Sequence, residues 1–322
     1  MKRFSPNWIQ VFIRGLVLHG AIFKGNEKYV STVVDDLENH LASLGLGLDE
    51  SLKKRITKYT VGSAICSHIH GLVRQESPTD EELLRGAYMG VYTPIVDDIM
   101  DATGQSFTEL QASEKVDAEH AIFRYILSKM DAWRKEREEY NRFFITAHDA
   151  QDWSMKQVGE ERLSKEELEK ITLEKGGTSN LWWRTILEHP LREGEEEVVY
   201  LIGAILQLSN DSFDVRKDYL NGHQTLVTQS MDFHEIENRY LAMTSRLKEL
   251  YFQMDYSDKG LKQSFTTWSI IIVQGLIAIR KYKKLQGKAP KLEVEKYDRK
   301  TLITDMQSIP NMIRNGYYSN KW

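Results

Sequence analysis

Ala87-Tyr88-Met89-Gly90-Val91-Tyr92-Thr93-Pro94-Ile95-Val96-Asp97-Asp98-Ile99-Met100-Asp101 is an almost wholly apolar run that ends in three aspartates. On a helix, Asp97 and Asp101 stand four residues apart and Asp98 and Asp101 three, so all three carboxylates share one turn on adjoining faces. They repel one another. They also sit toward the C-terminal end of their helix, where the macrodipole disfavours negative charge. Two unfavourable terms on one buried helix predict a favourable one that offsets them, and a divalent cation supplies it. Carboxylate oxygens suit Mg²⁺, whose coordination shell is commonly completed by water and substrate phosphates.

The same design recurs about 110 residues later. Val198-Val199-Tyr200-Leu201-Ile202-Gly203-Ala204-Ile205-Leu206-Gln207-Leu208 is again apolar. It leads into Asn210-Asp211-Ser212-Phe213-Asp214-Val215-Arg216-Lys217-Asp218. Positions 210, 214 and 218 form one stripe of one helix and offer an amide oxygen and two carboxylates. A lone acidic pair such as Asp35-Asp36 reads instead as solvated surface, because it lies on an ordinary amphipathic helix with no third ligand.

Outward from these two stretches the periodicity is helical nearly throughout. Tyr29 to Leu44 and Leu52 to Val73 carry apolar residues at helical spacing. Thr79 with Glu82, and Ser164 with Glu167, are capping boxes that open helices. The first of these helices runs to about Ala102. The second is expected to stop at Gly176-Gly177, with a short apolar helix from Leu181 to Leu187 after it. Ser113 to Val158 holds two helices. Glu195 to Tyr219 is expected as one long helix, followed by Phe233 to Met254, Gly260 to Leu285 and a last helix near Arg299 to Arg314. No strand pair is convincing, so the fold class is all-α. The helices at 80–102 and 195–219 are apolar nearly all round and therefore central.

Composition agrees. Among 322 residues there are 20 Gly and 6 Pro, below the average usage of roughly 7% and 5%. A hydrophobic fraction of 41% excludes global disorder. The formal charge of −4 gives no electrostatic footprint for nucleic acid. The single cysteine, Cys66, excludes an intrachain disulfide and a cysteine-based metal cluster, and makes a reducing, cytoplasmic setting the expectation. No stretch reads as an integral membrane span. Trp8 to Phe23 reads as an N-terminal docking helix rather than a signal peptide, because Arg14, His19 and Gly20 interrupt it. Without repeats or a Pro/Gly/Ser-rich linker, one domain over residues 1–322 is the simplest organisation.

At its two acidic stretches the chain resembles the class I isoprenoid synthases, which include trans-prenyltransferases and class I terpene cyclases. Asp97-Asp98-Ile99-Met100-Asp101 reads as their DDxxD motif. Asn210 to Asp218 resembles the second metal motif of the cyclases, NDxx(S/T)xx(K/R)(E/D), with Asp214 where Ser or Thr is usual. It also resembles a prenyltransferase DDxxD with Asn210 in place of the first Asp. The order of parts matches over roughly residues 25 to 285. The resemblance implies one helical domain around a deep apolar cavity, with three Mg²⁺ ions at its mouth holding a diphosphate. Asp97, Asp98 and Asp101 would hold two ions, and Asn210, Asp214 and Asp218 the third. Asp97 and Asn210 are then the ligands on which turnover most depends, and both acidic clusters are expected at one cavity mouth.

The resemblance departs at one place. Trans-prenyltransferases carry a basic GGKxxRP-like segment that holds isopentenyl diphosphate. Here Ser51-Leu52-Lys53-Lys54-Arg55-Ile56-Thr57-Lys58-Tyr59 lacks the glycines and the proline, although Lys54 and Arg55 remain. This tilts the expectation toward a terpene synthase, a lyase that ionises one prenyl diphosphate and cyclises or rearranges the cation. Transfer onto isopentenyl diphosphate is the alternative. A helical binding protein with degenerate metal motifs is the non-enzymatic one. His68-Ile69-His70 and His148-Asp149 do not make the His-Asp set that an HD-type phosphohydrolase needs. A homodimer stays open.

The expected chemistry assigns further residues. Lys175, Lys217, Arg280 and Tyr282 are candidates to bind diphosphate, the last two by resemblance to an Arg-Tyr pair that Lys281 here interrupts. Tyr88, Tyr92, Trp182, Trp183 and Trp268 are candidates to line the cavity, where aromatic faces stabilise a cation. Arg216, Lys217, residues 220–224 and residues 315–322 are expected to order when diphosphate binds.

Overall fold

The computed structural model describes residues 7–321, and of residues 7–19 and 21–24 the backbone alone. Among the described residues the chain is all-helical, about 78% helix, with no strand. The helices are α1 (Asn7–Ser43), α2 (Glu50–Arg74), α3 (Asp80–Thr103), α4 (Phe107–Ala112), α5 (Ala118–Glu136), α6 (Glu138–Ser154) and α7 (Lys165–Arg184). They continue as α8 (Glu195–Phe213), α9 (Val215–Leu220), α10 (Leu226–Ser230), α11 (Phe233–Tyr251), α12 (Asp258–Gln286), α13 (Arg299–Leu302) and α14 (Ile309–Ser319). No helix among the described residues is long and apolar enough to cross a membrane. The expected N-terminal docking stretch is helical in backbone, but its side chains lie, Gly20 apart, outside the described residues.

The chain folds as two compact units. The first comprises Leu18–Met155 with Leu181–Pro190, and the second Lys156–Asn180 with residues 191–321 and the first turns of α1. In the first unit α3 packs against α2 and α5. Its start is the capping box read from sequence: Thr79 N–H donates to Glu82 Oε2 at 2.7 Å, and Glu82 N–H to Thr79 Oγ1 at 3.2 Å. Its end is set by Gly104, which takes a φ of 69° that other residues adopt only at a cost. The α2–α3 crossing is close because Gly90 has no side chain; a Cβ there would stand 2.8 Å from Thr60 Cα.

In the second unit α8 is the central helix, packed on α11 and α12. Ser209 and Gly275 meet at this junction, where the Tyr240 hydroxyl lies 2.8 Å from Ser209 Oγ and donates to the Ile272 carbonyl at 2.6 Å. The Ser164–Glu167 capping box forms as expected.

Three element boundaries differ from the sequence reading. Gly176-Gly177 does not end a helix: α7 runs through both to Arg184 and absorbs the start of the separate helix expected at 181–187. The glycines instead let α7 and α8 touch. A Cβ on Gly176 would collide with the Gly203 carbonyl, one on Gly203 with the Gly176 carbonyl, and one on Gly177 with the Tyr200 ring. The long helix expected over 195–219 is divided at Asp214, whose φ of −92° and ψ of 7° kink it into α8 and α9. The last helix begins ten residues later than expected, at Ile309, because α13 ends at Leu302 and a turn at Asp305–Ser308 intervenes.

Candidate functional site

The acidic end of α3 belongs to the first unit. Asp97 and Asp98 are half-buried and Asp101 is exposed. Asp98 forms an ion pair with Arg55 of α2. One cation of the degraded basic stretch is therefore already engaged with the first motif, whereas Lys54 is exposed to solvent. Arg55 thus offsets part of the negative charge gathered here.

Upstream on the same helix the cavity candidates occupy different surroundings. Tyr92 is buried within an aromatic cluster, 5.8 Å from the Trp182 ring and 5.9 Å from Phe123. Its hydroxyl is 2.9 Å from His148 Nε2, while His148 Nδ1 lies 2.6 Å from the Phe144 carbonyl. The carbonyl can only accept, so Nδ1 carries the proton and Nε2 accepts from Tyr92. Burial pushes His148 down to about 4, against the Phe144 carbonyl, which favours its charged form. Tyr88 points elsewhere. Its hydroxyl donates to Asp36 at 2.5 Å, and Asp36 also accepts from Tyr125 at 2.7 Å and pairs with Lys129 at 3.1 Å. Burial raises the Asp36 carboxyl, but the bonds from Tyr88, Tyr125 and Lys129 outweigh it and hold the group below the usual carboxylate range. Asp36, read from sequence as solvated surface, is the node that ties α1 to α3 and α5. Trp183 is half-buried.

The acidic end of α8 and α9 belongs to the second unit and is built differently. Asn210 is exposed, Asp214 half-buried, and Asp218 buried. The i→i−4 bonds survive the kink, with Asp214 N–H on the Asn210 carbonyl and Asp218 N–H on the Asp214 carbonyl, both at 2.9 Å. The most deeply placed carboxylate is Asp211, which the stripe reading passes over. It is 4% exposed and accepts from Gln207 Nε2 at 2.8 Å and from Thr172 Oγ1 of α7 at 3.4 Å. Burial pushes Asp211 up to about 6, with Asp214 adding to the shift and Gln207, Lys175 and Thr172 opposing it. Burial, together with repulsion from Asp211 and Asp214, pushes Asp218 up to about 7 against Lys217 and Lys175. The Gln207–Asp211 spacing of four residues is the sequence signal that could have found this carboxylate.

Two of the four diphosphate candidates, Lys175 and Lys217, thus act electrostatically on this cluster. Lys175 is placed by the close α7–α8 crossing at Gly176 and Gly203. Arg280 is engaged elsewhere: its Nε donates to Glu237 of α11 at 2.6 Å, and its guanidinium lies 4.6 Å from the Tyr318 ring centroid. Tyr282 is buried against Phe233 and donates to the Leu302 carbonyl at 2.8 Å. Burial raises its phenol and the Asp214 carboxylate adds to that rise, so it lies within electrostatic range of the cluster. Trp268 is 1% exposed in α12.

Among the described residues, no three His, Cys, Asp or Glu side chains are gathered as a ready metal-binding group. The donors at the end of α8 and α9 are nonetheless of the kind a hard divalent cation takes, carboxylate and amide oxygens. Asp211 and Asp218 are also held where burial and mutual repulsion disfavour their ionised forms. Comparison with protein-family models, curated proteins and solved structures found no match to the chain.

Proposed function

We propose that this chain is a Mg²⁺-dependent class I terpene synthase that ionises a linear prenyl diphosphate and cyclises or rearranges the resulting cation. The observation that carries this reading is the end of α8 and α9. Buried carboxylates there repel one another, and Lys175 and Lys217 stand in electrostatic range of them. A pair of carboxylates with adjoining ammonium groups complements a divalent cation and an anionic leaving group at once. The acidic end of α3 supports the reading as a second carboxylate set closing an apolar helix.

In this proposal Asp97, Asp98 and Asp101, and Asn210, Asp214 and Asp218, are the Mg²⁺ ligands. Bound Mg²⁺ would supply Lewis-acid stabilisation of the departing diphosphate. Lys175 and Lys217 bind the diphosphate oxygens and take up part of the charge that develops as the C–O bond breaks, its electron pair leaving with the diphosphate. Asp211 accepts from Gln207 and Thr172 and adds its charge to the carboxylate cluster that the cation would balance.

A second reading is favoured by the Arg55–Asp98 ion pair, which sets the remnant of the basic segment beside the first acidic cluster. In that reading the chain joins an allylic diphosphate to isopentenyl diphosphate. One incubation separates the two. Purified protein with Mg²⁺ is given geranyl, farnesyl or geranylgeranyl diphosphate, each with and without isopentenyl diphosphate, and diphosphate release and organic products are followed. Release with a hydrocarbon or alcohol product from a single substrate supports the synthase. Release only with both substrates supports transfer. No Mg²⁺-dependent release from any of them removes both readings and leaves a helical binding protein.

A further inference from the structure

The C-terminal helix α14 buries polar residues and leaves its two isoleucines outside, while Met312, Tyr317 and Tyr318 are half-buried. Its buried residues are Asn311, Asn315, Gly316 and Ser319. Its isoleucines face water: Ile309 is 73% exposed and Ile313, one turn on, is 40% exposed. The inward polar face is satisfied. Asn311 Nδ2 donates to the Asp305 carbonyl at 2.8 Å, and Ser319 Oγ donates to Asn315 Oδ1 at 3.0 Å. Ser319 Oγ also reaches the Ser269 carbonyl of α12 at 3.4 Å, so this polar face is turned inward and the isoleucines are left on the outward surface. Ile303, ahead of the helix, is 47% exposed as well.

The same elements enclose a cleft of about 540 Å³ between the C-terminal half of α12 and residues 303–318. Lys281, Lys284 and Arg314 line it, with Asp305 as its one acidic residue. Arg280 also lines it, but its charge is met by Glu237. Lys281 Nζ donates to the Ile303 carbonyl and Arg314 Nη1 to the Asn311 amide oxygen, both neutral acceptors. Lys284 is exposed. The cleft is therefore cationic although the chain as a whole carries a formal charge of −4.

We propose that this face of the second unit docks on an anionic phospholipid membrane, with Ile309 and Ile313 entering the interface and the Lys281, Lys284 and Arg314 cleft receiving phosphate headgroups. A polar-in, apolar-out helix flanked by lysine and arginine is the arrangement that lies along a membrane surface, where apolar burial and attraction to anionic lipid act together. A second copy of the chain is a poorer occupant. A two-fold contact of the patch with itself would set the lysines and arginine of one copy against those of the other.

The test is cosedimentation of the full chain with vesicles, at low ionic strength because exposed charges are screened by salt. One set of vesicles is phosphatidylcholine; in the other, part of that lipid is replaced by phosphatidylglycerol. Binding to the anionic vesicles alone is expected. Lys284→Glu with Arg314→Glu should weaken it about tenfold or more, and so should Ile309→Ser with Ile313→Ser. All four positions are exposed, so both double variants should keep the helical circular dichroism and melting temperature of the parent. Equal binding to neutral vesicles, or binding that survives both double variants, overturns the proposal. So does pyrophosphate binding to the cleft without vesicle binding, which would make it a soluble-anion site. A dimer that dissociates on Ile309→Ser with Ile313→Ser, again without vesicle binding, would assign the patch to self-association and overturn it too.

Discussion

The two acidic helix ends read almost identically in sequence and are solved differently in structure. At the end of α3 the carboxylates reach solvent, and Asp98 has Arg55 as an ion-pair partner. At the end of α8 and α9, Asp211 and Asp218 are buried, and each finds the neighbouring aspartates unfavourable. The first end has a protein cation against one of its carboxylates and exposes Asp101 to solvent. The second keeps carboxylates raised by burial and by one another against Lys175 and Lys217, and the proposed cation site rests on that feature.

The comparison is broken most directly through the proposed activity. Asp97→Ala, Asn210→Ala and Asp218→Ala should each lower Mg²⁺-dependent diphosphate release by about a hundredfold or more, while circular dichroism stays helical. Parental turnover in the Asn210 and Asp218 variants at saturating Mg²⁺ would take the second end out of the proposed chemistry.

Next in size is the packing behind the second end. Gly203→Ala sets a methyl group against the Gly176 carbonyl and must part α7 from α8. Overpacking of this kind costs about 3 kcal/mol. It also draws Lys175 and Thr172 away from Asp211, so activity should fall in whatever protein remains folded. Urea unfolding checks the first effect, and a midpoint equal to the parent's would show that the crossing is looser than the glycines imply.

The core behind the first end should show itself in acid. His148 titrates at about 4 in the fold against an ordinary 6.5, so the unfolded chain takes up its proton first as pH falls. Its contribution to stability is present in full above pH 6.5 and is lost as pH falls through 4. At about 1.36 kcal/mol per unit the loss reaches roughly 3 kcal/mol. The raised Asp211 and Asp218 carboxyls act with the opposite sign over the same range, so the check is on the residue itself: the His148 ring resonances should titrate near 4, and the loss of stability toward pH 4 should be greater in the parent than in His148→Asn. A His148 that titrates near 6.5 would mean that the Tyr92 and Phe144 contacts do not hold the ring neutral.

Much of this was legible in the chain. The capping residues Thr79, Glu82, Ser164 and Glu167 act locally, so their helices begin where the sequence reading puts them. Contacts between distant segments were not legible. Gly176-Gly177 looks like a helix break because glycine lowers helix propensity, and its role becomes visible only when Gly203 of another helix is laid against it. Asp36 looks like surface because Tyr88 and Tyr125 stand 52 and 89 residues away. Asp211 escaped because an unbroken stripe from Asn210 skips it, whereas the fold turns it inward toward Thr172.

The smallest effect is also the sharpest, because the two ends should respond with opposite signs. Asp218→Asn keeps the shape and removes a buried charge that repels Asp211 and Asp214. Without Mg²⁺ it should stabilise the protein by something on the order of 1 kcal/mol, which for a chain of this size raises the melting temperature by about 2 °C. Asp98→Asn removes a charge that Arg55 already answers, leaving a half-exposed guanidinium without its partner. It should lower the melting temperature slightly, by no more than the ~1 kcal/mol of a partly exposed ion pair. Millimolar Mg²⁺ should then raise the melting temperature of the parent more than that of Asp218→Asn, since the variant has less repulsion for the cation to relieve. Two shifts of the same sign in the metal-free proteins would mean that both ends are balanced alike, and the contrast between them would fall.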